Sequence, residues 1–363
     1  MRVIILQHGM FPGFVSPIPK ECAQNLFRLG VDVSVVTIGS RSELSNGEAF
    51  KFPVHCIENS SLVRTYSKLK ELFAECDLVH YFPGKGLELM PFLNRRVKYI
   101  FNHISVSVTG NDARDKLINS IKRLQPFFAD LVLGTDEPLL KALRPVLATP
   151  VEVMPVGYSQ DLFFPCPPRA QTSEKVLIYH GAVRPQRRLD RLIEVLARLP
   201  SNYKLTIIGG GTAGDEEYRA YLGTVGKRLN CSDRLELTNM AQPEIREAIG
   251  GAYMGLSYVP AIECFQDQFV LKTLEYLACH RPVLTTTTRY NKQFNDAIGP
   301  NRILLADDTL EDIAEKILNA DDYVEAFYAE ENLSTLTDAL APYSSRQLVQ
   351  TKLLPIYQRL LSN

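Results

Sequence analysis

The sequence carries almost no net charge: 40 Lys and Arg stand against 41 Asp and Glu, a formal −1. A chain so balanced lacks the basic field that nonspecific nucleic-acid binding requires, and no nucleic-acid partner is expected. What asymmetry exists divides near residue 160, with 18 basic and 15 acidic residues before it and 22 against 26 after it. A mildly basic first half would suit an anionic acceptor or surface. The seven cysteines (Cys22, Cys56, Cys76, Cys166, Cys231, Cys264 and Cys279) are odd in number and form no Cys-x-x-Cys pair. That argues against a disulfide framework or a zinc site and for a reducing compartment. Long apolar runs are missing too. The opening Val3-Ile4-Ile5-Leu6 is too short for a signal peptide, and nothing approaches the roughly 20 apolar residues of a membrane span. The expectation is a cytoplasmic protein that can touch the inner face of a membrane peripherally, through its N-terminal half. No Asp-x-Asp stands after a strand, so no metal site is expected.

What is present is ordinary globular composition, 45% apolar and 22% charged, over 363 residues. That length is too great for one comfortable core and suggests two domains. The chain opens with a buried-strand pattern at 3–6, a helix over 19–29 ended by Gly30, and an alternating strand over 31–36, which together make a β-α-β unit. Further strands are expected at 78–82, 97–102 and 131–134, with an amphipathic helix over 115–127 that carries Lys116, Lys122 and Arg123. Residues 166–174 hold two prolines and little apolar periodicity, the best linker candidate. The β-α pattern then restarts. Strands are expected at 176–180, 204–208, 235–237, 254–258, 283–286 and 303–305, and helices at 189–199, 216–229, 242–249, 269–279 and 310–319. A final amphipathic helix covers 344–361. The fold class is therefore α/β, with two Rossmann-like, doubly wound parallel-sheet domains expected to face each other across a cleft. Their bounds are 1–155, with the helix of about 344–363 packing back, and 170–343.

Four features carry candidate chemistry. First, a strand ends at His180-Gly181, followed by a basic loop with Arg184, Arg187 and Arg188 and then a helix start. Backbone N–H groups and the positive end of a helix dipole suit a pyrophosphate there, and the arginines add charge-assisted bonds. The plainer reading is a solvated turn whose arginines pair with Asp190 or water. Second, Asp267 and Glu275 stand eight apart around a helix start, near the strand C-termini where such sheets bind ligands. Carboxylates accept two hydrogen bonds each from sugar or ribose hydroxyls. The plainer reading makes Asp267 an N-cap and pairs Glu275 with Lys272 at i, i+3. Third, Gly209-Gly210-Gly211 with Gly214 satisfies G-x-G-x-x-G after a strand, but not after the strand that opens a nucleotide-binding half, so a tight turn is expected. Fourth, His103 closes the strand of 97–102 at the end that would face the cleft; a lone histidine is more often structural.

The chain resembles the retaining glycosyltransferases with two Rossmann-like domains, the GT-B architecture, and within them the fourth sequence family. Residues 154–165 resemble the family's interdomain stretch and 181–190 its phosphate-clamp loop, with Arg187 at the usual lysine. Residues 256–283 resemble its E-x7-E segment; the tail Lys272, Glu275, Tyr276, Ala278, Pro282 and Val283 is the most specific match. The resemblance implies a hexosyltransferase-type enzyme. It would move a sugar from a nucleoside-diphosphate sugar to an acceptor hydroxyl with retention, without metal or other cofactor. It implies that Gly181, Arg184, Arg187, Arg188 and Lys272 bind the donor, with Arg187 neutralising its diphosphate, Glu275 holding the ribose, and Asn239 and Met240 lying by the base. Asp267 would stand beside the sugar ring and His103 near the transferred sugar. The acceptor, a glycan, a lipid-linked sugar or a small molecule, would bind the first domain. There are departures. The first acid is Asp, and Glu263 offers a rival register four residues earlier. Ala182 replaces an arginine. The Gly-Gly loop is replaced by residues 12–17, where Gly13 would approach the donor. The missing Gly-Gly loop and Ala182 keep one alternative open, a silent nucleotide-sugar-binding relative, and the glycine run 209–214 keeps a second, an NAD-dependent oxidoreductase.

Overall fold

The computed structural model describes residues 1–9, 11, 18–39, 50–58, 61–84, 87, 89–103, 112–143, 149–167, 172–209, 213–240, 242–300 and 302–362. It divides into two units, Met1–Gly157 with Ser345–Asn363, and Tyr158–Ser344.

The first unit holds the parallel strands β1 (Arg2–His8), β2 (Asp32–Gly39), β3 (Val54–Glu58), β4 (Leu78–Tyr81), β5 (Lys98–His103), β6 (Leu131–Gly134) and β7 (Val151–Val153), in the order β3-β2-β1-β4-β5-β6-β7. Its helices are α1 (Ile18–Arg28), α2 (Leu62–Phe73), α3 (Asp112–Leu124) and α4 (Glu137–Leu143). The central strands are buried runs rather than alternations, as a parallel sheet covered on both faces requires. Val3, Ile5, Val33 and Val35 pack on one face; Ile4, Leu6, Val36 and Ile38 pack on the other with Leu69 and Phe73 of α2. β3 and α2 had no separate expectation in the sequence, because residues 54–58 alternate too weakly to stand out beside their neighbours.

The second unit holds β8 (Lys175–His180), β9 (Tyr203–Ile208), β10 (Leu235–Thr238), β11 (Met254–Ser257), β12 (Val283–Thr286) and β13 (Leu304–Ala306), again parallel, in the order β10-β9-β8-β11-β12-β13. Its helices are α5 (Asp190–Arg198), α6 (Ala213–Arg228), α7 (Gln242–Gly251), α8 (Leu271–Ala278), α9 (Arg289–Ile298), α10 (Leu310–Leu318), α11 (Asp321–Tyr328) and α12 (Glu330–Leu340). Strand order reverses between β8 and β11, the switch point at whose carboxyl edge such sheets take ligands. The stretch read as a linker is tied to this unit at its start, where Cys166 N donates to Cys279 O at 3.2 Å.

The C-terminal segment is α13 (Ser345–Leu348) and α14 (Leu354–Ser362), joined by a π-helical turn at Val349–Leu353. The single helix expected over 344–361 is thus interrupted by a widened turn, a local distortion that residue periodicity does not encode. The segment belongs to the first unit. Leu348, Val349, Leu353, Ile356 and Tyr357 enter its core, Ser345 Oγ donates to Glu21 Oε2 at 2.7 Å, and Tyr357 Oη lies 2.6 Å from His80 Nδ1.

Candidate functional site

The candidate site is built at the switch point of the second unit. Helix α8 is keyed to the sheet by its own polar groups. Tyr276 Oη donates to Ile178 O at 3.0 Å and accepts from His180 N at 3.1 Å, so one hydroxyl clamps the helix to the end of β8. The ring fits because β11 has glycine opposite it: a Cβ at Gly255 would stand 2.5 Å from Tyr276 Cγ. Thr273 Oγ1 and Ser257 Oγ share a buried bond of 2.6 Å. These contacts fix the rotation of α8 and therefore where Lys272 and Glu275 lie.

Lys272 is half-buried, and its Nζ sits 3.8 Å over the Tyr179 ring and donates to Tyr258 O at 3.2 Å. Burial pushes its pKa well below the usual lysine value, the nearby Arg187 lowers it further, and Glu275 opposes both. Glu275 is buried, with Oε2 at 3.3 Å from His180 Nε2. His180 is itself buried between the rings of Phe163 and Tyr276. Desolvation, and secondarily Lys272, pull its pKa down to about 3, so it meets Glu275 as a neutral ring. Arg187 closes a 3-10 turn, Pro185–Arg187, with its guanidinium 4.8 Å over the Phe265 ring. Arg187 and Glu275 therefore both act on Lys272 at the carboxyl edge of β8. Two cations and a carboxylate gathered at partly desolvated positions can take a diphosphate and a hydroxyl-bearing ring together. The plainer expectation for Glu275 is half met: it is electrostatically coupled to Lys272, and its near neighbour in space is His180.

The other expected residues lie as follows. Gly181 has φ +132° and Gly209 φ +150°, and a Cβ on Gly209 would stand 1.9 Å from Gly181 O. The two strand ends touch backbone to backbone; the tight turn expected of the glycine run falls on residues 210–212, which lie outside the described residues. Arg184 and Arg188 are exposed, and Arg188 has φ +50°. Asp190 accepts a hydrogen bond from Tyr218 Oη at 2.9 Å, so it is committed to the α5–α6 contact. Asn239 and Met240 follow β10, an edge strand two places from β8. Gly13 lies outside the described residues.

Asp267 is not joined to this cluster by any described contact. Arg289 Nε and Nη2 donate to its two carboxylate oxygens at 2.9 and 2.7 Å, and Arg289 Nη2 also reaches Glu263 Oε1 at 2.8 Å. The guanidinium lowers the Asp267 pKa through that pair. Both rival acids thus hold one arginine. Asp267 is no N-cap either: the residue before α8 is Val270, with no side-chain cap. A second unexpected hub is Asp308, which accepts from Tyr258 Oη at 3.0 Å and from Ala261 N at 2.9 Å and so holds the strand-to-loop turn that leads to Glu263. Neither Arg289 nor Asp308 has a sequence signal, because each is defined by partners 22 to 117 residues away.

In the first unit, His103 is the last residue of β5 rather than a residue beyond it, and it is buried. Burial, then Lys122 and Arg123, lower its pKa to about 4, so the ring is neutral at pH 7. Its Nδ1 has no hydrogen-bond partner among the described residues. A small cavity in the same unit is lined by Glu21, Cys22, Asn102, Thr135, Met154 and Ser345. Among the described residues, no helix is long and apolar enough to cross a membrane.

Residues 174–320 match the family model described as glycosyl transferases group 1. Among curated proteins, none matches this sequence. The fold is shared with a sucrose-phosphate synthase from Thermosynechococcus elongatus (TM-score 0.74, 16% identity, all of both chains covered). It is shared equally with Anabaena HepE solved with UDP and glucose (0.75, 16%, 98% of this chain and 99% of that one). A glycosyltransferase from Rickettsia africae is similar over 100% of this chain and 99% of its own, with a TM-score of 0.70 and 15% identity. The family match thus falls within the second unit, where the candidate site lies, and together with the fold shared over the whole chain it supports reading the protein as a glycosyltransferase.

Proposed function

We propose that this protein transfers a sugar from a nucleoside-diphosphate sugar to an acceptor hydroxyl, with retention at the anomeric carbon and without a metal ion. The observation that carries the reading is the meeting of Arg187, Lys272 and Glu275 at the carboxyl edge of β8. As the bond to the anomeric carbon breaks, negative charge grows on the leaving diphosphate. Arg187 and the ammonium of Lys272 then stabilise the transition state more than the ground state, the condition for catalysis. Burial holds the Lys272 pKa well below the usual lysine value, and an arriving diphosphate would raise it again and favour the ammonium. Glu275 would accept from ribose hydroxyls.

Retention and family-4 membership rest on the resemblance of residues 256–283. The neutral, buried His103 is assigned a place near the transferred sugar. Asp267 is assigned to the sugar's hydroxyls, for which Arg289 would have to release or share it. The first unit is assigned the acceptor, and the protein a cytoplasmic place with peripheral contact at the inner membrane face. The test is a product assay: nucleotide sugars of UDP, GDP and ADP are incubated with the enzyme and released sugar is followed by proton NMR, with and without EDTA. An axial anomeric product from an axial donor, insensitive to EDTA, is expected; inversion or loss of turnover with EDTA would overturn the respective point.

A further inference from the structure

Helix α3 is oriented the opposite way from a surface helix of an ordinary globular unit. At about 100° per residue, Ala113, Leu117, Ile121 and Leu124 fall within about 80° of one another. In a soluble domain such a stripe turns to the core. Here Leu117, Ile121 and Leu124 are 62%, 49% and 57% exposed. The opposite side, Asp115, Ile118, Asn119 and Lys122, is the partly buried one, and its three polar side chains have partners within the chain. The helix therefore spends its polar groups inward and its apolar groups outward.

The apolar surface continues beyond the helix. The 3-10 turn Gln125–Phe128 adds the exposed Phe127 and Phe128, whose ring centroids lie 5.1 Å apart. Phe92 meets Phe128 edge to face at 4.5 Å, and Leu89 is exposed beside it in sequence. A contiguous patch of this kind marks an interaction site. Its border is cationic. Arg114 and, on the other flank, Lys116 and Arg123 are exposed along α3, and Arg95, exposed next to Arg96, lies over the Phe92 ring at 5.7 Å. Large apolar side chains in the middle, with long cations around them whose stems can lie along apolar surface while their heads reach phosphates, is the pattern of a helix that lies in a lipid interface.

We propose that the face made by α3, the turn after it and Phe92 docks on an anionic lipid surface. The charge around the patch chooses that occupant: a second copy of the chain would set the same cations against themselves. The inference sharpens the membrane contact proposed above and uses no donor chemistry, so it fails or survives independently of sugar transfer. It also gives a direction to the site's surroundings. Lys122 and Arg123 of the same helix act on His103, so a lipid-borne acceptor resting on this face would lie near that end of the first sheet.

The test is sedimentation of the full chain with vesicles of phosphatidylcholine alone and with about 30% phosphatidylglycerol, with and without about 0.5 M NaCl. Binding to the anionic vesicles is expected, weakened by salt, with little binding to the neutral ones. The variant Leu117→Gln/Ile121→Gln/Leu124→Gln should bind at least about tenfold more weakly. A second variant, Arg114→Glu/Lys116→Glu, should lose the preference for anionic vesicles and provides the same test should the first not fold. Circular dichroism checks both folds. Equal sedimentation of wild type with and without vesicles, or unchanged binding by both folded variants, overturns the proposal. So does a wild-type dimer that the triple variant turns into a monomer without any vesicle binding, which would make the face a subunit contact.

Discussion

Replacing Glu275 by Gln isolates the proposed ribose contact, because the amide keeps the shape and removes the charge. A hydroxyl donating to a carboxylate contributes about 1.5–3 kcal/mol, and to a neutral acceptor about 0.5–1.5 kcal/mol. Two ribose hydroxyls on one carboxylate would then lose about 2–3 kcal/mol, or roughly 30- to 150-fold in Kd. The fold should tolerate the change. His180, which faces the Glu275 oxygen at 3.3 Å, is neutral because burial holds its pKa at about 3, so no ion pair is broken. A shift in melting temperature within about 2 °C is expected, the range of a change under 1 kcal/mol. The assay is titration calorimetry of wild type and variant with UDP, GDP and ADP, and with inorganic pyrophosphate. The nucleoside diphosphate that binds wild type should bind the variant more weakly, while pyrophosphate, which has no ribose, should change much less. A nucleoside diphosphate held equally well by both proteins, or a variant that loses pyrophosphate and diphosphate alike, refutes the assignment of Glu275 to ribose.

Lys272 should take up a proton when a diphosphate arrives, because its pKa is held far below normal and the anion raises it. Calorimetry at alkaline pH in buffers of different ionisation enthalpy should show proton uptake on binding, abolished in Lys272→Met; equal uptake by the variant would reject this. Acid should destabilise the protein early. His80 and His180 are lowered to about 3 and His103 to about 4, in each case first by burial, against 6.5 unfolded. Between those values the unfolded chain binds more protons, so stability present at pH 7 is lost as pH falls from about 6.5, by about 1.4 kcal/mol per pH unit for each histidine. A melting temperature that stays level from pH 7.5 to 4.5 would contradict this. Gly209→Ala should lower the melting temperature by at least about 5 °C, since φ +150° is strained for alanine and its Cβ would meet Gly181 O at 1.9 Å; a change under about 1 °C would show that the two strand ends do not meet so closely.

The site was legible in part. The segments that carry it, 176–190 and 267–283, stand out because a strand end, a basic loop and a helix start are local signals. The chemistry of their side chains was not. Nothing in the sequence says that Lys272 is desolvated over Tyr179, that Tyr276 clamps α8 to β8 through Ile178 and His180, or that Arg289 captures Asp267 and Glu263 together. Each depends on neighbours brought from elsewhere in the chain.

By itself the sequence determined two successive β-α runs, and with them a parallel α/β fold, because strand and helix periodicities are written within 5 to 15 residues. It also marked residues 115–127 as an amphipathic helix, which the structure makes as helix Asp112–Leu124 and a 3-10 turn Gln125–Phe128. Only the tertiary structure decided which way that helix turns, with Leu117, Ile121 and Leu124 outward and Lys122 inward. The reason is physical: periodicity fixes which residues share a face, but whether that face meets the core or solvent depends on what the rest of the chain packs against it.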